Sequence, residues 1–168
     1  MISFQKKNWL YQVYAWLPVL LLYISVLNEF DFNYVTLEYF SFNFPFLLIF
    51  YFTLKEYSRF DFLLVFISGL INDTVVGLPL GISSFSYILV CIFAAYLRNI
   101  TIRPNLIKDW FYFLFIISLI NSINYSVLFF FFSFELDIMF YVVNNFFTFL
   151  LYMPITFFFD KYLQAIND

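Results

Sequence analysis

The amino-acid sequence predicts an all-α, polytopic membrane protein of one domain, with six transmembrane helices and both ends on the cytoplasmic side. Three observations predict it. The 168 residues are 64% hydrophobic with a mean hydropathy of +0.90, well above the roughly 45–50% apolar content of soluble domains. Only 11% are charged, and a soluble fold could not hide 29 Phe, 14 Tyr and 3 Trp and keep a wettable surface. Finally, the basic residues alternate in position along the chain in step with six apolar stretches.

Each span needs about 20 apolar residues. The first is Trp9 to Leu27, with Pro18 as an expected kink. Lys6 and Lys7 precede it as they would a signal peptide. The stretch is too long and aromatic for one, and Asn28, Glu29, Phe30 and Asp31 follow it in place of a small-residue cleavage pattern. It reads as an uncleaved span. The second runs from Phe40 to Leu54, with Pro45 near its start, where proline is tolerated. The third begins near Phe60 and reaches Asn72 or a few residues beyond. The fourth is Ile82 to Leu97. The fifth, Trp110 to Phe134, is long enough to tilt. The sixth is Ile138 to Phe159. No internal repeat, disordered tract or linker separates them.

All eight basic residues fall at alternate connections: Lys6 and Lys7, then Lys55 and Arg59, then Arg98, Arg103 and Lys108, then Lys161. The first, third and fifth connections have none. The first carries Glu29, Asp31 and Glu38, and the fifth Glu135 and Asp137. Lys and Arg are retained on the cytoplasmic side, and random placement would give this pattern about one time in a hundred. The same count requires an even number of spans. Trp9 and Trp110 stand where interfacial anchors are expected at the cytoplasmic starts of spans one and five.

Several classes of function are disfavoured. The chain has no Lys/Arg cluster suited to nucleic acid. With no His and a single cysteine, Cys91, it offers no His-based catalytic pair and no basis for a zinc, haem or Cys-ligated iron–sulfur site. Neither a phosphate-binding glycine loop nor a metal-ligand spacing is present. The expectation is a non-enzyme without a cofactor.

The informative segment runs from residue 69 to 81. All three glycines lie in it, Gly69, Gly77 and Gly81, together with Asp73, Pro79 and Leu80. Gly69 and Asp73 share a helix face, and the absent side chain at Gly69 allows close approach of a neighbouring helix. Gly77-Leu78-Pro79-Leu80-Gly81 breaks the helix. An intramembrane carboxylate is a functional suspect by default. At Asp73 the competing structural reading is a cap that accepts N–H groups from the broken segment. On span five Ser118, Asn121, Ser122 and Tyr125 fall on one stripe, readable as helix packing through polar residues or as the lining of a polar cavity. Asn144 and Asn145 in span six are similar, and at least one should face protein. Ser84, Tyr87 and Cys91 form a weaker stripe on span four.

The segment Gly69-Leu70-Ile71-x-Asp73 followed by Gly77-x-Pro79-Leu80-Gly81 resembles the hallmark of the MreD family, small membrane subunits of the bacterial rod-shape system. Length, span count and motif position agree with that family. The residues after Gly81 depart from it: Ile82, Ser83 and Ser84 stand where a small or hydrophobic residue, then His or Asn and Ala, are common. The resemblance implies a fold similar to the substrate-binding subunits of energy-coupling-factor vitamin transporters. It also implies action in the inner membrane with MreC-like and MreB-like proteins and with the elongation glycosyltransferase and transpeptidase, in lateral peptidoglycan synthesis. The fold similarity leaves a second reading, a substrate-binding subunit of a vitamin or other small-molecule transporter. In that reading the span-five stripe, Asn144 or Asn145 and the broken segment would line a pocket.

Overall fold

A computed structural model describes residues 16–27, 41–55, 60–101, 105–133 and 137–167. Six helices and no strands occur among the described residues. They are α1 (Trp16–Leu27), α2 (Phe44–Lys55), α3 (Phe62–Val76), α4 (Ile82–Ile100), α5 (Leu106–Phe132) and α6 (Ile138–Asn167). Helices α4, α5 and α6 are long and apolar enough to cross a membrane; α1, α2 and α3 are shorter apolar helices. The predicted boundaries move by a few residues. Helix α2 starts at Phe44 rather than Phe40, and α3 continues to Val76. Helix α5 begins before Trp110, and α6 continues past Phe159 to Asn167. The residues before Trp16, including Trp9, lie outside the described part.

Local chemistry explains the ends. Asn43 caps α2 by accepting the Phe46 N–H at 3.2 Å, and Pro45 sits in the first turn, where an N–H has no intrahelical partner. Asn105 caps α5 in the same way, accepting the Ile107 N–H at 3.0 Å. Helix α6 runs through Pro154 without a break.

Helix α2 is the centre of the bundle. Every residue from Pro45 to Thr53 is buried, as an evenly apolar helix requires. Helix α4 lies against α2, α3 and α5, and α6 against α5 and α2. The buried side of α4 is Ser83, Ser84, Ser86, Tyr87, Val90, Cys91, Ala94 and Leu97. Several of these are small, so neighbouring backbones can come close, the arrangement that favours association where lipid removes the hydrophobic driving force. Aromatic rings fill the rest: Phe50 meets Phe113 and Tyr152 at 5.0 and 5.7 Å between centroids. The outside is also apolar, with Phe115, Phe130, Phe131, Phe157 and Phe158 exposed, a surface suited to lipid and not to water.

The two ends of the bundle differ. At one, Lys55 lies 3.6 Å from Asp160, which also accepts the Tyr51 hydroxyl at 2.7 Å. Nearby, the Trp110 ring stacks on Phe149 at 4.3 Å and its N–H reaches the Phe149 carbonyl at 2.8 Å. The other end holds the α3–α4 turn and a concentration of Asn and Ser side chains.

Candidate functional site: the α3–α4 turn and the polar cavity beside it

Helix α3 ends because Gly77 adopts the left-handed conformation (φ +75°), its N–H returning to the Asp73 carbonyl. The Leu78 N–H reaches the same carbonyl at 2.9 Å. Four residues on, Gly81 (φ +105°) starts α4. Both backbones are ones that only glycine adopts at little cost. Pro79 and Leu80 form the tip between them, and the Leu80 side chain is 70% exposed.

Asp73 closes this turn from within. Its side chain is fully buried. One carboxylate oxygen accepts the Gly81 N–H at 2.7 Å and the other accepts the Ser83 N–H at 2.8 Å. The first N–H groups of a helix have no intrahelical partner; here a residue of the preceding helix supplies it. The carboxylate therefore ties the end of α3 to the start of α4. Asn72 adds a bond from its amide N–H to the Ser83 hydroxyl at 2.9 Å, and the Ser84 hydroxyl donates to the Phe66 carbonyl at 3.0 Å.

Gly69 performs a different task. A Cβ placed there would lie 2.3 Å from Ser84 Cα and 2.5 Å from Ser84 N. The backbones of α3 and α4 touch at this point, which brings Ser83 within reach of Asp73. The structure thus brings Asp73, Gly77, Pro79, Leu80 and Gly81 together at one turn, with Gly69 at the α3–α4 backbone contact earlier in α3, and its bonds at Asp73 are those of the capping reading.

The span-five stripe divides. Asn121 is buried and donates from its amide to the Asn145 side-chain oxygen. Ser122 is exposed and its hydroxyl returns to the Ser118 carbonyl at 2.8 Å, within its own helix. Tyr125 meets Tyr141 edge-on at 5.6 Å. Both span-six amides face protein: Asn145 receives Asn121, and Asn144 donates to the Ser41 hydroxyl at 2.7 Å. Thr148 extends this contact, accepting the Asn43 N–H at 2.9 Å. On α4, Ser84 serves α3, Tyr87 packs edge-on against Phe46 at 5.7 Å, and Cys91 lies 3.5 Å from the Thr53 hydroxyl.

Between these groups lies a cavity of about 420 Å³. Asn72, Ser86, Tyr87, Asn121, Asn124 and Asn144 contribute to its wall. Sequence reasoning passed over Ser86 and Asn124, whose side chains meet at 2.8 Å. Asn124 stands one turn beyond Asn121 in an apolar helix, and that spacing was the available signal.

Compared with protein-family models, curated proteins and solved structures, the chain matches none.

Proposed function

We infer that the chain is a non-enzymatic scaffold subunit of the bacterial inner membrane. It crosses the bilayer six times with both ends in the cytoplasm, and it works in a rod-shape complex of the MreD type. Helix α3, with 15 residues, is accommodated by local thinning of the bilayer or by flanking residues. The segment 69–81 is then on the outer side, and the Lys55–Asp160 end is cytoplasmic. Helix contacts with an MreC-like protein, and through it with an MreB-like filament and the elongation glycosyltransferase and transpeptidase, would support lateral peptidoglycan synthesis.

The observation that supports this reading is the self-sufficiency of the turn. Asp73 has both carboxylate oxygens engaged by backbone N–H groups of its own chain. A carboxylate so occupied holds the two helix ends together. What the turn displays is apolar, with Leu80, Val75 and Val76 exposed around it, a surface for a partner helix or lipid.

Affinity purification in mild detergent from the native membrane tests the proposal. An MreC-like membrane protein and elongation enzymes should be recovered with the chain. Recovery of a pair of transporter ATPases in their place would overturn the scaffold and establish the transporter reading, which the cavity favours.

A further inference from the structure

We propose that the cavity beside the α3–α4 turn is a binding site for a small, uncharged polar molecule with a flat apolar face. The inference goes beyond the scaffold role and does not depend on which complex the chain joins.

The first observation is a buried phenol. Tyr87 is 2% exposed and lines the cavity. Among the described residues no hydrogen-bond partner is found for its hydroxyl. Buried polar groups are almost always paired, so this hydroxyl is expected to meet a group inside the cavity. The second is convergence. Asn72, Asn121, Asn124 and Asn144 come from three helices and border the same space. Each side-chain bond described above uses only part of what an amide offers, two donors and an acceptor with two lone pairs. Asn124, for example, accepts from Ser86 through Oδ1, and its two N–H donors have no partner among the described residues. Donors and acceptors thus remain on several sides of one volume. The third is size: about 420 Å³ falls within the range of small-molecule sites, roughly 300–1,000 Å³.

The walls also select for charge. Among the described residues no Lys or Arg borders the cavity, and the chain has no His, so a phosphate or carboxylate would find no countercharge from them. Asp137, the bordering carboxylate among the described residues, already accepts the Met139 N–H at 2.9 Å at the start of α6. Amides and hydroxyls recognise neutral polar groups, and Phe46, Phe140 and Tyr141 supply apolar faces around them. A free anion, an inorganic cation and a phospholipid headgroup all fit this lining less well.

Two substitutions separate ligand from structure. Tyr87→Phe deletes a hydroxyl with no hydrogen-bond partner among the described residues. Asn124→Leu leaves Ser86 still bonded to the Ile82 carbonyl at 2.8 Å. The wild-type protein and both variants would be excised from membranes in polymer discs, without detergent, and measured by native mass spectrometry with nothing added. The wild type should carry a neutral compound of low molecular mass near one per chain. Both variants should lose most of it while staying folded, with thermal unfolding temperatures no lower than that of wild type stripped of the compound. A wild type without a bound compound, or with only a phospholipid or an anion, would overturn the proposal. So would a compound retained in both variants, or variants that lose it only because they unfold. Partner recovery from the same discs is read separately, so loss of compound with partners retained leaves the scaffold reading standing.

Discussion

The close approach of α3 and α4 makes Gly69→Ala the most demanding test of how the turn is built. The added Cβ would sit 2.3 Å from Ser84 Cα, 2.5 Å from Ser84 N and 2.9 Å from the Ser83 carbonyl carbon. These are backbone atoms, so no side chain can rotate away. Optimal carbon–carbon contact is about 3.5–4.0 Å, and α4 would have to retreat by about 1 Å. The bonds from Ser83 N–H to Asp73, at 2.8 Å, and from the Ser84 hydroxyl to Phe66, at 3.0 Å, lie at the point of retreat. An opening of about 1 Å takes both beyond the usual limit of roughly 3.2 Å. Overpacking of this kind costs about 1–3 kcal/mol, and a lost bond to a buried group about 1–3 kcal/mol more. A destabilisation of about 3 kcal/mol is expected. The assay is reversible unfolding in mixed micelles followed by near-ultraviolet circular dichroism. Gly77→Ala is the control: nothing lies within 4 Å of a Cβ there, and only its φ of +75° resists, a cost of about 1–2 kcal/mol. If Gly69→Ala is no more damaging than Gly77→Ala, the helices do not meet as described.

The remaining predictions concern the same end of the bundle. Asp73→Asn keeps one acceptor for the two N–H groups and should lose about 1–3 kcal/mol, whereas Asp73→Ala orphans both and should lose roughly twice as much; unfolding in the same micelles gives the order. Gly81→Leu forces a leucine into φ +105°; under the proposed scaffold role it should round up rod-shaped cells and abolish recovery of an MreC-like partner, which microscopy and co-purification measure. Asn121→Leu leaves the Asn145 oxygen without its donor and should destabilise by about 1–2 kcal/mol, while the double change Asn121→Leu with Asn145→Leu should recover much of that loss. A double-mutant cycle of unfolding free energies reads this coupling directly.

Helical content was legible because apolar length needs no tertiary information, and each described helix falls on a predicted stretch. The ends were less legible. Apolar runs stop where polarity rises, but helices stop where backbone partners run out. Phe62–Val76 therefore continues through Asn72, Asp73 and Thr74: the first two bond to the start of α4, and the exposed Thr74 returns its hydroxyl to the Ile71 carbonyl at 2.7 Å. The turn was legible as a break because Gly77 and Pro79 carry their conformational preferences locally. Its closure by Asp73 was only one of the readings sequence left open, since the choice of acceptor depends on how α3 and α4 are placed. The span-five stripe failed as a single surface. Helical spacing puts Ser118, Asn121, Ser122 and Tyr125 near one another, but an arc that wide meets both a neighbour and the outside. Ser122 resolves its polarity by bonding back to Ser118.

The glycines therefore answer two different physical demands. Gly77 and Gly81 provide backbone angles, and Gly69 provides the space of a missing methyl group. The demands are coupled through Asp73. Its two bonds require α4 to begin directly beside the end of α3, which requires the reversal at Gly77 and Gly81 and contact of the helix backbones at Gly69. The same placement puts Ser83, Ser86 and Tyr87 on the cavity wall, so a substitution that opens the α3–α4 contact should also disturb whatever the cavity holds. One that empties the cavity without touching Gly69 or Asp73 should leave the turn intact. That asymmetry follows from the order of construction: backbone contact first, carboxylate closure second, cavity wall last.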